Sequence, residues 1–72
     1  MKIEFAGGGP ADGRVGEYEG TPETLLVFEL APGKLAESKP DEGVPKITHV
    51  YRSASKLSRD GAVLFTYRGR AK

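Results

Sequence analysis

The 72-residue sequence contains no cysteine, which removes disulfide bonds, thiolate zinc sites and thiol catalysis together. A chain without cysteine fits a reducing compartment, and we expect it to act in the cytoplasm. Residues 1–25 also lack a basic segment followed by an apolar run, which is the pattern of a secretion signal.

Long apolar runs are missing as well. The longest stretch, Leu25 to Phe28, is far shorter than the roughly 20 apolar residues that a membrane-crossing helix needs, so we expect no membrane contact. The apolar share of 38% and the net charge of +1 favour a folded chain over a disordered one. The length suits one domain, 1–72. Because so small a scaffold often needs extra stabilisation, a homo-oligomer is one expectation.

Short runs of alternating apolar and polar residues predict an all-β fold. Lys2–Phe5 is the first predicted strand, and Arg14–Glu19 is the second, with a bulge at Gly16. Thr24–Leu30 is predicted to be a third strand and the most buried one, because it has apolar residues on both faces.

Two segments rich in glycine, proline and charge are predicted to be irregular. Residues 7–13 read as a structural turn, with an anion cradle formed by backbone N–H groups as the alternative. Phosphate-binding loops lead into a helix, whereas this segment leads into a strand, so the turn is favoured. Residues 31–45 are predicted to form a long polar loop, with one helical turn around Lys34–Glu37 as the alternative.

The last third of the sequence predicts a hairpin. Lys46–Ser53 and Ala62–Tyr67 both alternate, and Asp60-Gly61 before the second run is a strong turn signal. The first of these strands ends near Ser53 or continues through Leu57. The predicted fold is a small antiparallel meander of about five strands, curled or barrel-like.

Several of these motifs resemble those of small uncharacterised phage and prophage proteins. The shared features are the Gly-Gly-Pro-x-Asp-Gly turn at residues 8–13, Tyr51-Arg52, the Asp60-Gly61 turn and the aromatic strand that follows it. The resemblance covers both ends of the sequence and leaves residues 20–45 unmatched. It implies a phage-borne accessory or host-interaction protein, such as an inhibitor, in a bacterial host. It brings no activity or site residues.

Charge is separated along the sequence. Residues 1–45 carry nine acidic and four basic side chains, whereas residues 46–72 carry seven basic side chains and one acidic one. Basic side chains near aromatic ones are typical of surfaces that hold unpaired bases. The favoured alternative is that the acidic half of the same domain neutralises the basic end and that the aromatic residues belong to the core. The candidate binding residues are Tyr51, Arg52, Lys56, Arg59, Phe65, Tyr67, Arg68 and Arg70.

His49 is the only histidine and is predicted to make an ordinary hydrogen bond within a strand. A general base needs an orienting acid and a nucleophile or substrate within reach, and no such spacing is present. We therefore expect no catalytic residues, no metal site and no cofactor. A non-catalytic protein that binds a protein partner is the first hypothesis, and a small nucleic-acid-binding module is the second.

Overall fold

The computed structural model describes residues 1–36 and 38–71, which form one six-stranded sheet curled into a half-barrel without any helix. The spatial order of the strands is β2-β1-β6-β5-β3-β4. Their bounds are β1 Lys2–Ala6, β2 Val15–Glu17, β3 Thr24–Ala31, β4 Lys34–Ala36, β5 Ile47–Leu57 and β6 Val63–Arg70. The all-β prediction is confirmed, with one strand more than expected.

The sheet is mixed, so the predicted antiparallel arrangement is confirmed in part. β1 runs parallel to β6, with Ile3 opposite Val63 and Phe5 opposite Phe65, while the other four pairings are antiparallel. The reason is hydrophobic burial, because this pairing places the apolar side chains of β1 beside those of β6. Turn signals in the sequence report neighbouring elements only and carry no information on such a distant pairing.

The second predicted strand is shorter than expected and has no bulge at Gly16. β2 ends at Glu17, and its register with β1 is regular, with Ile3 opposite Gly16. Tyr18 lies after the end of the strand, so it can pack against the core without a change of register. Val15 and Tyr18 therefore do not have to share one face of a regular strand, and no bulge is needed between them.

Part of the predicted loop at 31–45 is a strand, and the alternative of a helical turn is wrong for its described residues. Gly33, with φ of +80°, helps to reverse the chain, and Lys34–Ala36 returns as β4. β4 pairs with β3, with Ala36 opposite Phe28. Glu37, which belonged to the predicted helical turn, lies outside the described residues. Residues 38–46 form no strand or helix.

The core lies on one face of the central strands. Tyr51 of β5, Phe65 of β6 and Ile3 of β1 are fully buried, and Phe5 and Val27 pack with them. The prediction that β3 is the most buried strand is wrong. β3 lies next to the edge strand β4, and Leu26 and Leu30 on it are exposed.

The predicted C-terminal hairpin is confirmed, and β5 continues through Leu57. Gly61, with φ of +84°, donates its N–H to the carbonyl of Ser58 at 3.0 Å. The Ser58 hydroxyl accepts from the N–H groups of Asp60 and Ala62 at 3.3 and 3.0 Å. The Asp60-Gly61 dipeptide thus forms the turn between β5 and β6.

Candidate functional site

The structure separates the eight predicted binding residues into buried aromatic and exposed basic groups. Tyr51 and Phe65 are 0% exposed, so their ring faces are not accessible to a nucleic-acid base. Tyr67 is half-buried. The five basic residues are all exposed, namely Arg52, Lys56, Arg59, Arg68 and Arg70. The nucleic-acid hypothesis required exposed basic and exposed aromatic side chains. Of these two groups, only the basic side chains are exposed.

Tyr51 anchors the glycine-rich loop to the sheet. Its hydroxyl donates to the carbonyl of Gly8 at 2.9 Å and accepts from the N–H of Ala11 at 3.0 Å. Its ring packs edge-on against Phe5, with centroids 4.9 Å apart. The loop is therefore held by a core side chain, and the prediction of a structural turn at residues 7–13 is confirmed.

Close packing around Gly9 explains one glycine of this loop. Its φ is +77°, and an added Cβ would lie against the Tyr51 hydroxyl and 2.6 Å from the Tyr67 ring. No larger residue fits at this position without displacing both aromatic side chains. Burial is the main reason that the pKa of the Tyr51 phenol is raised above its usual 10.0.

His49 joins two side chains in a buried hydrogen-bond chain. Its Nε2 lies 3.0 Å from Glu29 Oε1, and its Nδ1 lies 2.8 Å from the Tyr67 hydroxyl. Because a carboxylate only accepts, Nε2 donates to Glu29, and a neutral ring accepts the Tyr67 proton at Nδ1. The imidazole is 4% exposed, and the predicted ordinary hydrogen bond of His49 is confirmed.

The arrangement of Glu29, His49 and Tyr67 resembles the acid–histidine–hydroxyl order of catalytic triads. A catalytic reading also needs space for a substrate beside the hydroxyl group. Neither His49 nor Tyr67 lines the three cavities formed by residues 1, 5, 18, 21–26, 28–32, 38, 45–47, 52–55, 63, 66 and 68. The two hydrogen bonds satisfy both ring nitrogens of the buried His49.

One cavity, which we name the arginine pocket, has a volume of about 660 Å³. Its polar side chains come from three segments, namely Thr21 and Glu23 before β3, Arg52, Ser53 and Ser55 on β5, and Thr66 and Arg68 on β6. Neither guanidinium has a carboxylate within 4.0 Å in the described part of the chain. The pocket therefore presents two unpaired cations and several hydroxyl groups.

A second cavity, which we name the apolar cleft, has a volume of about 310 Å³ and lies at the other end of β3 and β5. Its walls are Leu30, Ala31, Pro32, Pro45 and Ile47, and Glu29 and Lys46 complete its lining. Leu30 and Ile47 are 37% exposed each. The sequence analysis missed this site. The sequence feature that could have indicated the cleft is a proline near each end of the 31–45 segment. Each of these prolines lies close to the apolar end of a strand.

No group of three His, Asp or Glu side chains that could hold a metal ion occurs within residues 1–36 and 38–71. The same residues include no helix that is long and apolar enough to cross a membrane. Comparison of the chain with protein-family models, with curated proteins and with solved structures gives no match. The function is therefore inferred from the arginine pocket and the apolar cleft.

Proposed function

We propose that the protein is a non-catalytic binding protein that contacts a protein partner through the apolar cleft. The observation that carries the proposal is the exposed apolar lining, in which Leu30, Pro32 and Ile47 surround a concave space. Exposed apolar surface gains free energy when a partner removes it from water, at roughly 25 cal/mol per Å². A concave shape concentrates that gain on one anchoring side chain of the partner.

The surroundings of the cleft suit a protein ligand. Glu29 and Lys46 place one charge of each sign at its border, which would orient a partner without demanding a highly charged one. Val44 adds a further exposed apolar side chain next to Pro45. β4 is an edge strand of the sheet, and an edge strand can pair with an extended segment of a partner.

A nucleic-acid partner is the weaker candidate because the aromatic side chains that would stack on bases are buried or half-buried. The exposed cations also lie in three separate places. Arg52 and Arg68 line the arginine pocket, Lys56 and Arg59 lie near the end of β5 and in the turn after it, and Arg70 lies opposite His49. A phosphate backbone would have to span all three. The phage-type origin and the cytoplasmic location belong to the same proposal and rest on the sequence resemblance and composition.

The test places a photo-crosslinking residue at Ala31 and compares capture from a host lysate with and without Ile47→Asp. We expect one or a few proteins to be captured, and Ile47→Asp to abolish their capture. Leu57→Asp is the matched control, because Leu57 is 68% exposed but lies outside the cleft. Capture should survive that change.

Two outcomes would contradict the proposal. Equal loss of capture with Leu57→Asp would show that the adduct forms by general hydrophobic contact. A dimer that Ile47→Asp dissociates in sedimentation would show that a second copy of the chain fills the cleft instead. Circular dichroism of both variants checks that the sheet is intact.

A further inference from the structure

We propose that the arginine pocket binds a small ligand that carries two or more phosphate groups. This site is separate from the apolar cleft. The cleft involves residues 29–32 and 45–47, whereas the pocket involves the opposite ends of the same two strands, at residues 21–23 and 52–55. The proposal therefore stands or fails independently of the protein-binding function.

The two guanidinium groups of the pocket lack an ion-pair partner among the described residues. Arg52 and Arg68 line one cavity, and neither forms an ion pair within residues 1–36 and 38–71. Like charges that share a cavity repel each other, and an anion placed between them removes that repulsion. The planar fork of arginine donors matches the oxygens of a phosphate group in two parallel hydrogen bonds.

Hydroxyl groups supply further donors in the pocket. Ser53 Oγ accepts from the backbone N–H of Ser55 at 3.2 Å, which leaves its own proton available. Thr66 is the cross-strand partner of Arg52 and places a second hydroxyl in the same wall, where its proton is donated to the Arg52 carbonyl at 3.5 Å and its oxygen stays available as an acceptor. Thr21 adds a third from the segment before β3. Neutral donors of this kind complete the coordination of phosphate oxygens that arginine begins.

The backbone beside the pocket is strained. Ser55 has φ of +56° and is the one non-glycine residue with positive φ in the described ranges. Its position coincides with a register irregularity, since Ser53 is opposite Phe65 but Leu57 is opposite Val63. Strained residues and bulges concentrate at sites where a side chain has to be aimed at a ligand. The chain reverses direction at residues 58–62, so the hairpin turn does not require the distortion at Ser55.

The size and lining of the pocket define the ligand class. A volume of about 660 Å³ exceeds the needs of a single phosphate and lies in the range of small-molecule sites. No aromatic side chain lines it, so a base would not be stacked. The affinity would come from the phosphate groups, as in a nucleoside triphosphate or inorganic pyrophosphate. Glu23 is the one acidic side chain in the lining, and its charge would oppose the ligand.

Isothermal titration with inorganic pyrophosphate and with a nucleoside triphosphate tests the proposal. We expect saturable binding of one ligand per chain. Arg52→Ala and Arg68→Ala should each weaken it by about tenfold or more, as expected for the loss of hydrogen bonds to a charged group. Glu23→Gln should strengthen binding, because it removes the opposing charge and keeps the shape of the side chain.

Matched controls separate a built site from general charge attraction. Arg59→Ala and Arg70→Ala remove the same charge outside the pocket and should leave the affinity unchanged. Arg52→Lys keeps the charge but loses the fork, so it should bind more weakly than the natural protein. Ile47→Asp in the apolar cleft should bind pyrophosphate normally.

Three results would overturn the proposal. The first is no saturable binding of either ligand by the folded protein. The second is an equal loss of affinity in the pocket variants and in the Arg59 and Arg70 controls. The third is tighter binding of a single-stranded oligonucleotide than of the triphosphate, which would assign the surface to nucleic acid. Circular dichroism of each variant establishes that it is folded before titration.

Discussion

Tyr51 combines two structural roles in one side chain. Its ring fills the core between Phe5 and Tyr67, with centroids 4.9 and 5.2 Å away, and its hydroxyl closes the glycine-rich loop. The sequence placed this aromatic residue in a strand correctly. It could not show that the hydroxyl bonds to residues some forty positions away, because no local pattern encodes such a contact. The sequence therefore left a core role and a binding role open for Tyr51, and the structure places its side chain in the core.

Replacing Tyr51 by Phe should lower the free energy of unfolding at neutral pH by about 1–3 kcal/mol, because the N–H of Ala11 and the carbonyl of Gly8 lose their partner. Urea unfolding followed by circular dichroism measures this change. Thr66→Val is the comparison, since it removes only a long, exposed hydrogen bond of 3.5 Å. A loss as large in Thr66→Val as in Tyr51→Phe would contradict the anchoring role.

The same hydroxyl predicts a pH dependence. The pKa of Tyr51 is raised in the folded state, chiefly by burial, so above pH 10 the unfolded chain releases this proton first. The contribution of Tyr51 to stability is complete below pH 10 and is lost as the pH rises through the folded-state pKa. We expect the difference in unfolding free energy between the natural protein and Tyr51→Phe to shrink above pH 10. A constant difference from pH 8 to pH 11 would show that the proton is not linked to folding.

Gly9 and Gly8 form a matched pair that separates backbone strain from lack of space. Both have positive φ, but an added Cβ meets the Tyr67 ring at 2.6 Å at Gly9 and nothing within 4 Å at Gly8. Gly8→Ala should cost about 1–2 kcal/mol from the left-handed backbone alone. Gly9→Ala should cost a further 1–3 kcal/mol or so from overpacking. Thermal unfolding compares the two, and equal losses would contradict the close packing at Gly9.

At the scale of the strands, local sequence patterns performed well where an element pairs with its neighbour in sequence. The positions of β1, β3, β5 and β6 were predicted, and so was the Asp60-Gly61 turn. β4 was missed because its three residues follow Pro32-Gly33 and are too few to show alternation. The arginines of the pocket were named as candidates. Their grouping with hydroxyls and Glu23 depends on the pairing of β5 with β3 and on the register of the β5–β6 hairpin, which the sequence does not show.

The irregular part of β5 gives a prediction at the same scale. Ser55 has the left-handed backbone that glycine adopts freely, so Ser55→Gly should leave stability unchanged or raise it by up to about 1 kcal/mol. Ser53→Gly, two residues earlier in regular strand, should lose about 0.5–1 kcal/mol because glycine gains freedom in the unfolded chain. Chemical unfolding curves compare them. Destabilisation by Ser55→Gly larger than that by Ser53→Gly would contradict the strained conformation.

For the whole molecule, the two candidate sites lie at opposite ends of the strands that they share. The apolar cleft involves the end of β3 and the start of β5, and the arginine pocket involves the start of β3 and the later part of β5. The charge separation along the sequence therefore does not become one basic face and one acidic face. Glu29 bonds to His49 across the β3–β5 pair, and Glu23 lines the pocket with Arg52 and Arg68. No Arg or Lys within residues 46–71 forms an ion pair with a described carboxylate, so internal neutralisation of the basic end stays a prediction.

The parallel pairing of β1 with β6 has a consequence for the order of events during folding. β5 and β6 form a local hairpin, whereas β1 has to find β6 from the other end of the sequence, and such distant contacts form late and slowly. Gly61→Ala, which disturbs the hairpin turn, should therefore slow refolding. Ile3→Val in β1 should leave the refolding rate nearly unchanged and accelerate unfolding. Stopped-flow measurements resolve the two rates, and slower refolding of Ile3→Val would place the β1–β6 contact in the transition state instead.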